Sequence, residues 1–245
     1  MRPLNAIDVV RIWESGLNLR PPDRGLAILS SAIPQTPLDE LASLSLGRRD
    51  SCLLSIRERL FGSDIDCFAE CPACDERLEF TVNAVEIRVN NASEAPAGEF
   101  ELSTAGYDLR VRLINSGDLD AISACKEREA ARQMLVQRCV IEASRDGAEV
   151  SAAQLPDEAV VALANRLAER DPMAELIFDL TCPACGHRWQ VLFDIVAFLW
   201  TEISALAKRL LAEVHILARA YGWRESDILS LSARRRRFYL ELIGA

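Results

Sequence analysis

The sequence predicts an α+β protein, with helical segments at both ends around a small antiparallel β region. Three observations carry that prediction. Apolar residues recur at helical spacing before residue 62 and after residue 195, and short polar–apolar alternation fills the stretch from Ile65 to Ile114. Two Cys-Pro-Ala-Cys turns, at Cys71–Cys74 and Cys182–Cys185, are each followed by a strand-like segment. The expected organisation is an N-terminal helical region over 1–62, a β region over 63–195 with a helical insertion at about 116–171, and a C-terminal helical region over 196–245.

Taken in order, Asn5 is placed to cap a helix carrying Ile7, Val10, Trp13 and Leu17 on one stripe. Pro21-Pro22 interrupts it, and a second helix runs through Leu26 and Leu29 to Pro34. Thr36-Pro37-Leu38-Asp39 is a start signal, with a cap hydroxyl, a proline and an acid in the first turn. Leu46-Gly47-Arg48-Arg49-Asp50 leads into a helix from Cys52 to Leu60, which stops at Gly62. Glu79–Val82, Glu86–Val89 and Tyr107–Leu113 alternate as strands, and Asn90–Gly98 reads as a loop. Helices are expected over Leu119–Ser144 and Pro156–Arg170, then a hairpin from Leu176–Thr181 and Arg188–Phe193. A long helix over Val196–Ala220 carries Ile203, Leu206, Leu210, Val214 and Leu217, and Gly222 ends it. Short helices near Glu225–Leu231 and Ala233–Ile243 close the chain, the last capped by Ser232.

With 245 residues, half of them apolar and 27% charged, the chain has globular composition. A net charge of −9 argues against a general nucleic-acid binder, although Ser204–Ala245 holds eight basic residues against four acidic ones. No apolar run reaches the roughly 18–20 residues of a membrane span, and Asp8 falls where a signal peptide would be apolar. The expectation is a cytoplasmic protein without membrane contact. Catalytic motifs are missing: there is no G-x-S-x-G, no G-x-x-x-x-G-K-[ST], no H-E-x-x-H and no dinucleotide glycine fingerprint. Only two histidines, His187 and His215, could serve as a base. The chain is therefore expected not to be an enzyme and to have no small-molecule substrate.

Eight cysteines in a cytosolic chain point to metal before disulfide. A C-x-x-C at a hairpin tip puts two thiolates on one side of a tight turn, and two such knuckles supply the four sulfurs of a structural zinc site. Cys71, Cys74, Cys182 and Cys185 are the expected ligands of one Zn2+, forming a two-knuckle zinc ribbon. Cys74 and Cys182 stand 108 positions apart, but each doubling of loop length costs only about 0.6 kcal/mol. Four sulfurs close the site, which makes the ion a staple and leaves no position for substrate. A redox role stays open, although a thioredoxin-like pair would open a helix. Cys52 and Cys139 read as core and Cys125 as inert, while Cys67 lies four positions before Cys71, outside the knuckle turn, and is not expected to be a ligand; His187 is expected beside the site or exposed, and His215 on a polar helix face.

The tail combines Tyr221, Trp223, Phe238 and Tyr239 with Arg234, Arg235, Arg236 and Arg237. Four consecutive arginines splay over all faces of a helix, so they favour a protein interface or an intramolecular ion-pair role over a groove-reading edge. A zinc-ribbon nucleic-acid adaptor and a thiol oxidoreductase are the competing readings.

Ala220-Tyr221-Gly222-Trp223, Ile228-Leu229 and Arg236-Arg237-Phe238-Tyr239-Leu240, with Leu46-Gly47-Arg48-Arg49-Asp50 and the twin knuckles upstream, resemble a known group. These motifs are similar to those of baseplate hub assembly proteins from contractile-tailed phages and bacterial phage-tail-like contractile injection systems. The likeness runs from roughly Leu46 to Leu242. It implies a non-catalytic assembly factor (a chaperone) or minor baseplate component whose partners are baseplate or hub proteins. It also implies a bacterial cytoplasmic protein that can be incorporated into the particle.

Overall fold

The computed structural model describes residues 1–90 and 98–244, so the loop expected over Asn90–Gly98 lies almost wholly outside the described residues. The chain divides into two compact units, one from Met1–Pro37 with Ile195–Ala245 and one from Leu38–Asp194. The two chain ends thus share a unit, while residues 38–62 pack with the β region.

The first unit is helical. Helix α1 (Ala6–Gly16) is capped by Asn5, whose side chain accepts from the Asp8 amide while Asp8 accepts from the Asn5 amide. Arg2 adds two bonds to the Asp8 carboxylate, at 2.6 and 2.7 Å, and these hold its pKa below the usual value. The face that packs coincides only in part with the stripe read from spacing, with Val10 buried and Ile7 and Trp13 half-buried. Val9, Val10, Ile12 and Gly16 are buried, whereas Leu17 is 51% exposed. The reason is a close approach at Gly16: a Cβ there would sit 2.4 Å from the Trp200 ring, so the contact row runs through the glycine. Helix α2 (Pro21–Ala32) begins at the double proline. Arg24 lies over the Trp200 ring at 4.6 Å.

The long helix is α9 (Ile195–Tyr221), and it buries Ile203, Leu210, Val214 and Leu217 as its period requires; Ala207 is buried where Leu206 is only half so. Helices α10 (Glu225–Ser230) and α11 (Ala233–Leu242) follow, and Ser232 accepts from the Arg235 amide at the start of α11.

The second unit opens with α3 (Leu38–Ser43) and α4 (Leu46–Phe61). Helix α4 starts at Leu46, earlier than expected, because Ser45 caps it. Gly47 is required there: its amide donates to Asp171 at 2.9 Å, and a Cβ would fall 2.1 Å from an Asp171 oxygen. Strands β1 (Asp64–Glu70) and β2 (Arg77–Asn83) form one antiparallel hairpin. Glu86–Val89, expected as a strand, instead belongs to α5 (Ala84–Asn90). Four alternating residues do not distinguish the two periods. Asn83 tips the balance by accepting from the amides of Val85 and Glu86, and Arg88 ties the helix to Glu58 on α4.

Strands β3 (Glu99–Thr104) and β4 (Tyr107–Arg112) pair next. The helix expected over Leu119–Ser144 is three elements: α6 (Ser116–Ile122), α7 (Arg128–Cys139) and β5 (Val140–Arg145). β5 turns at Asp146-Gly147, both at positive φ, into β6 (Ala148–Glu149). The insertion therefore supplies two strands of an antiparallel sheet ordered β3-β4-β5-β6. Helix α8 (Asp157–Arg170) covers it, and Phe100, Leu109, Val111, Cys139, Val140, Ala143 and Leu163 form the core between. The last hairpin is β7 (Ile177–Thr181) with β8 (Arg188–Leu192). The mixture of helices and small antiparallel sheets is the α+β class read from the sequence.

Candidate metal centre

Each cysteine pair sits in a six-residue turn between two strands. In the first, the Cys71 amide donates to the Glu76 carbonyl at 2.9 Å and the Asp75 amide to the Cys71 carbonyl at 2.9 Å. The second repeats this ring, from Cys182 to His187 at 2.8 Å and from Gly186 to Cys182 at 3.0 Å. The residue after the second cysteine has φ of 60° at Asp75 and 74° at Gly186. Aspartate and glycine are among the residues that adopt this left-handed turn at least cost. Pro72 and Pro183 occupy matching positions and pre-set the entry to each turn.

Aromatic packing joins the two hairpins. Phe80 of β2 meets Phe178 of β7 edge-on at 6.1 Å, and Phe178 meets Phe193 at 5.6 Å. The four sulfurs then lie within 4.8 Å of one another. Across the hairpins, Cys71 is 3.7 Å from Cys185 and Cys74 is 3.6 Å from Cys182. A tetrahedron with arms of about 2.3 Å, the zinc–thiolate distance, has edges of about 3.8 Å. Cys71 and Cys182 are buried and Cys74 and Cys185 exposed, so one sulfur of each knuckle faces inward.

The protonation pattern agrees with a cation site. Burial opposes ionisation of Cys182, but the amides of Cys185 and Ala184 with the neighbouring thiols draw it down to about 7. At Cys74 the Glu76 backbone favours the thiolate, yet sharing with the thiols of Cys185, Cys182 and Cys71 pushes it up to about 12. Four thiols this close cannot all ionise by themselves, and a divalent ion removes that penalty. The residues present fit a tetrathiolate metal ion.

The remaining candidates fall elsewhere. Cys67 is half-buried on β1 and outside the group of four; Cys139 is buried in the core, where desolvation raises its pKa to about 11; Cys52 and Cys125 are half-buried. His187 is exposed and stacks on Trp189 at 6.1 Å, and His215 is exposed on α9. In the tail, Tyr221 stacks on Trp223 at 4.7 Å, and Tyr239 meets Trp223 edge-on at 4.9 Å. Arg236 turns inward, bonded to Glu213 at 2.7 Å and to the Leu231 carbonyl at 2.6 Å. Arg234, Arg235 and Arg237 are exposed, Arg237 pairing with Glu241, and Phe238 is 56% exposed.

Sequence reasoning missed a buried carboxylate, Asp118. It accepts two bonds from Arg112, one from Arg138 and one from the Asn115 amide. The signal was available in Asn115-Ser-Gly-Asp118, a capping-box spacing.

Fold and site together define an α+β protein with two hairpins meeting at a four-cysteine cluster able to hold a metal ion. A family model described as T4 bacteriophage base plate protein matches residues 26–200, and the chain belongs to that family. The tail from Tyr221 onward lies beyond the matched residues. No curated protein and no solved structure matches the chain. Among the described residues, no helix is long and apolar enough to cross a membrane.

Proposed function

We propose that the chain is a non-catalytic assembly factor or minor component of a contractile phage-tail-like baseplate, acting in the bacterial cytoplasm through contacts with baseplate or hub proteins. The observation that supports this most is the family match over residues 26–200. In this reading one zinc ion, held by Cys71, Cys74, Cys182 and Cys185, staples the two hairpins together. It contributes folding free energy and no chemistry, because four sulfurs fill its coordination. The exposed part of the tail, Arg234, Arg235, Arg237 and Phe238, is the partner surface, with Tyr221, Trp223, Tyr239 and Arg236 setting its shape.

The test is affinity capture of the full chain from its native host, followed by analysis of purified particles. Co-purification with baseplate subunits, and loss of assembled tails on deleting the gene, are expected. Normal yields of functional particles without the protein would overturn the proposal.

A further inference from the structure

An apolar groove of about 800 Å3 runs between α7 and α8. Leu135 and Val136 line one wall, Val160 and Leu167 the other, and Leu113 and Leu192 lie along it. Leu192 is 62% exposed. Lining residues on the α8 side extend from Val160 to Asp171, eleven positions or about 16 Å of helix. The two ends differ in charge. Arg132, in the second turn of α7, bonds Asp157 at the start of α8, so the N-terminal parts of the two helices lie at the same end of the groove. Arg128 lines that end and has no ion pair among the described residues. At the other end, beyond the last turn of α8, Asp171 and Glu175 line the groove.

Helix α11 has the matching features. Arg234, Phe238 and Leu242 recur every four residues and so share one face. Phe238 is 56% and Leu242 62% exposed, although the opposite side of the helix is pinned to α9 by Arg236 and Glu213. Ten residues give a length of about 15 Å. Its arginines cluster in the first turn and Glu241 lies in the last.

We propose that α11 of one copy of this chain docks in the α7–α8 groove of a second copy, with Phe238 and Leu242 as anchors. The arginine-rich first turn then meets Asp171 and Glu175, and Glu241 meets Arg128. The helix dipole favours the same direction, its positive end facing the carboxylates. Small side chains at Ala131, Ala164 and Ala168 let the backbone approach. The contact joins unlike surfaces, so it leaves a free tail and a free groove at either end and builds a ring or a filament. It deepens the partner-surface reading above, on which it rests for the role of the tail.

Sedimentation velocity on the full chain over a concentration series tests this. An interface of one short helix is below the standard size, so association is expected at about 10 μM. Phe238→Glu with Leu242→Glu removes the anchors, and Ala164→Glu obstructs the groove. All three positions are exposed, so unchanged circular dichroism will confirm folding. Each variant alone is expected to stay monomeric. Their mixture should form a one-to-one dimer and stop there, because each supplies one intact surface. A wild-type chain that is monomeric at about tenfold higher concentration, or a mixture that stays monomeric, overturns the proposal. Loss of particle incorporation without any change in self-association would leave the baseplate role standing and overturn this inference alone.

Discussion

Asp118 is the residue whose removal tests the framework of the second unit most sharply. Its side chain is fully buried and gathers Arg112 from the end of β4, Arg138 from α7 and the amide of Asn115, with contacts of 2.7–2.9 Å. Breaking a buried charge network costs about 3–5 kcal/mol, and loss of a helix cap about 1. The two arginines are 28% and 41% exposed and can turn to water, which brings the expectation for Asp118→Ala to about 3 kcal/mol. At 1.4 kcal/mol per factor of ten, protection of β4 and α7 amides against hydrogen exchange should fall about a hundredfold. Local exchange is the right assay, because two compact units make one global unfolding energy ill defined. Burial alone would raise the Asp118 pKa, but bonds from Arg112, the Asn115 amide and Arg138 hold it below 3.8. The unfolded chain therefore binds the proton first as pH falls. The stability gap between wild type and Asp118→Asn should be full at pH 7 and shrink below about pH 4. A gap that stays constant from pH 7 to the acid limit, or amide protection unchanged in Asp118→Ala, would refute the reasoning.

Replacing Gly16 with Val drives a side chain into the Trp200 ring and is expected to cost about 1–3 kcal/mol, read as lost hydrogen-exchange protection of α1 amides; unchanged protection would show that α1 can shift at no cost. Arg236→Ala strands Glu213 and the Leu231 carbonyl and should destabilise by about 3 kcal/mol, whereas Arg234→Ala should stay within about 0.5; equal effects would contradict the inward placement of Arg236. His187→Ala is expected to leave metal content unchanged, and reduced metal would mean a mixed ligand set. Chelation should raise hydrogen exchange in β1, β2, β7 and β8 before α9 melts, and simultaneous loss of both would show that the ion supports the whole chain.

What was legible in the sequence was local. The Asn5 cap, the Ser232 cap, the long apolar period of α9 and the two C-x-x-C turns all rest on side chains a few positions apart. The readings that failed needed distant partners. Val140–Arg145 is a strand because β4 and β6 flank it, while its own sequence continues the pattern of α7. Asp146-Gly147 was the missed clue, since that pair favours tight hairpins. The buried face of α1 was displaced by Trp200, which lies far along the chain. At the four-cysteine cluster the residues were readable from spacing, but their convergence depends on Phe80, Phe178 and Phe193, whose packing no motif announces.

The most direct test of the central claim is metal analysis of the purified full chain combined with X-ray absorption at the zinc edge. The account predicts one zinc per chain with four sulfur neighbours at about 2.3 Å, and loss of the ion in a Cys71→Ser, Cys182→Ser double variant. A metal-free chain that retains protected hairpin amides, or a coordination shell containing nitrogen, would contradict it.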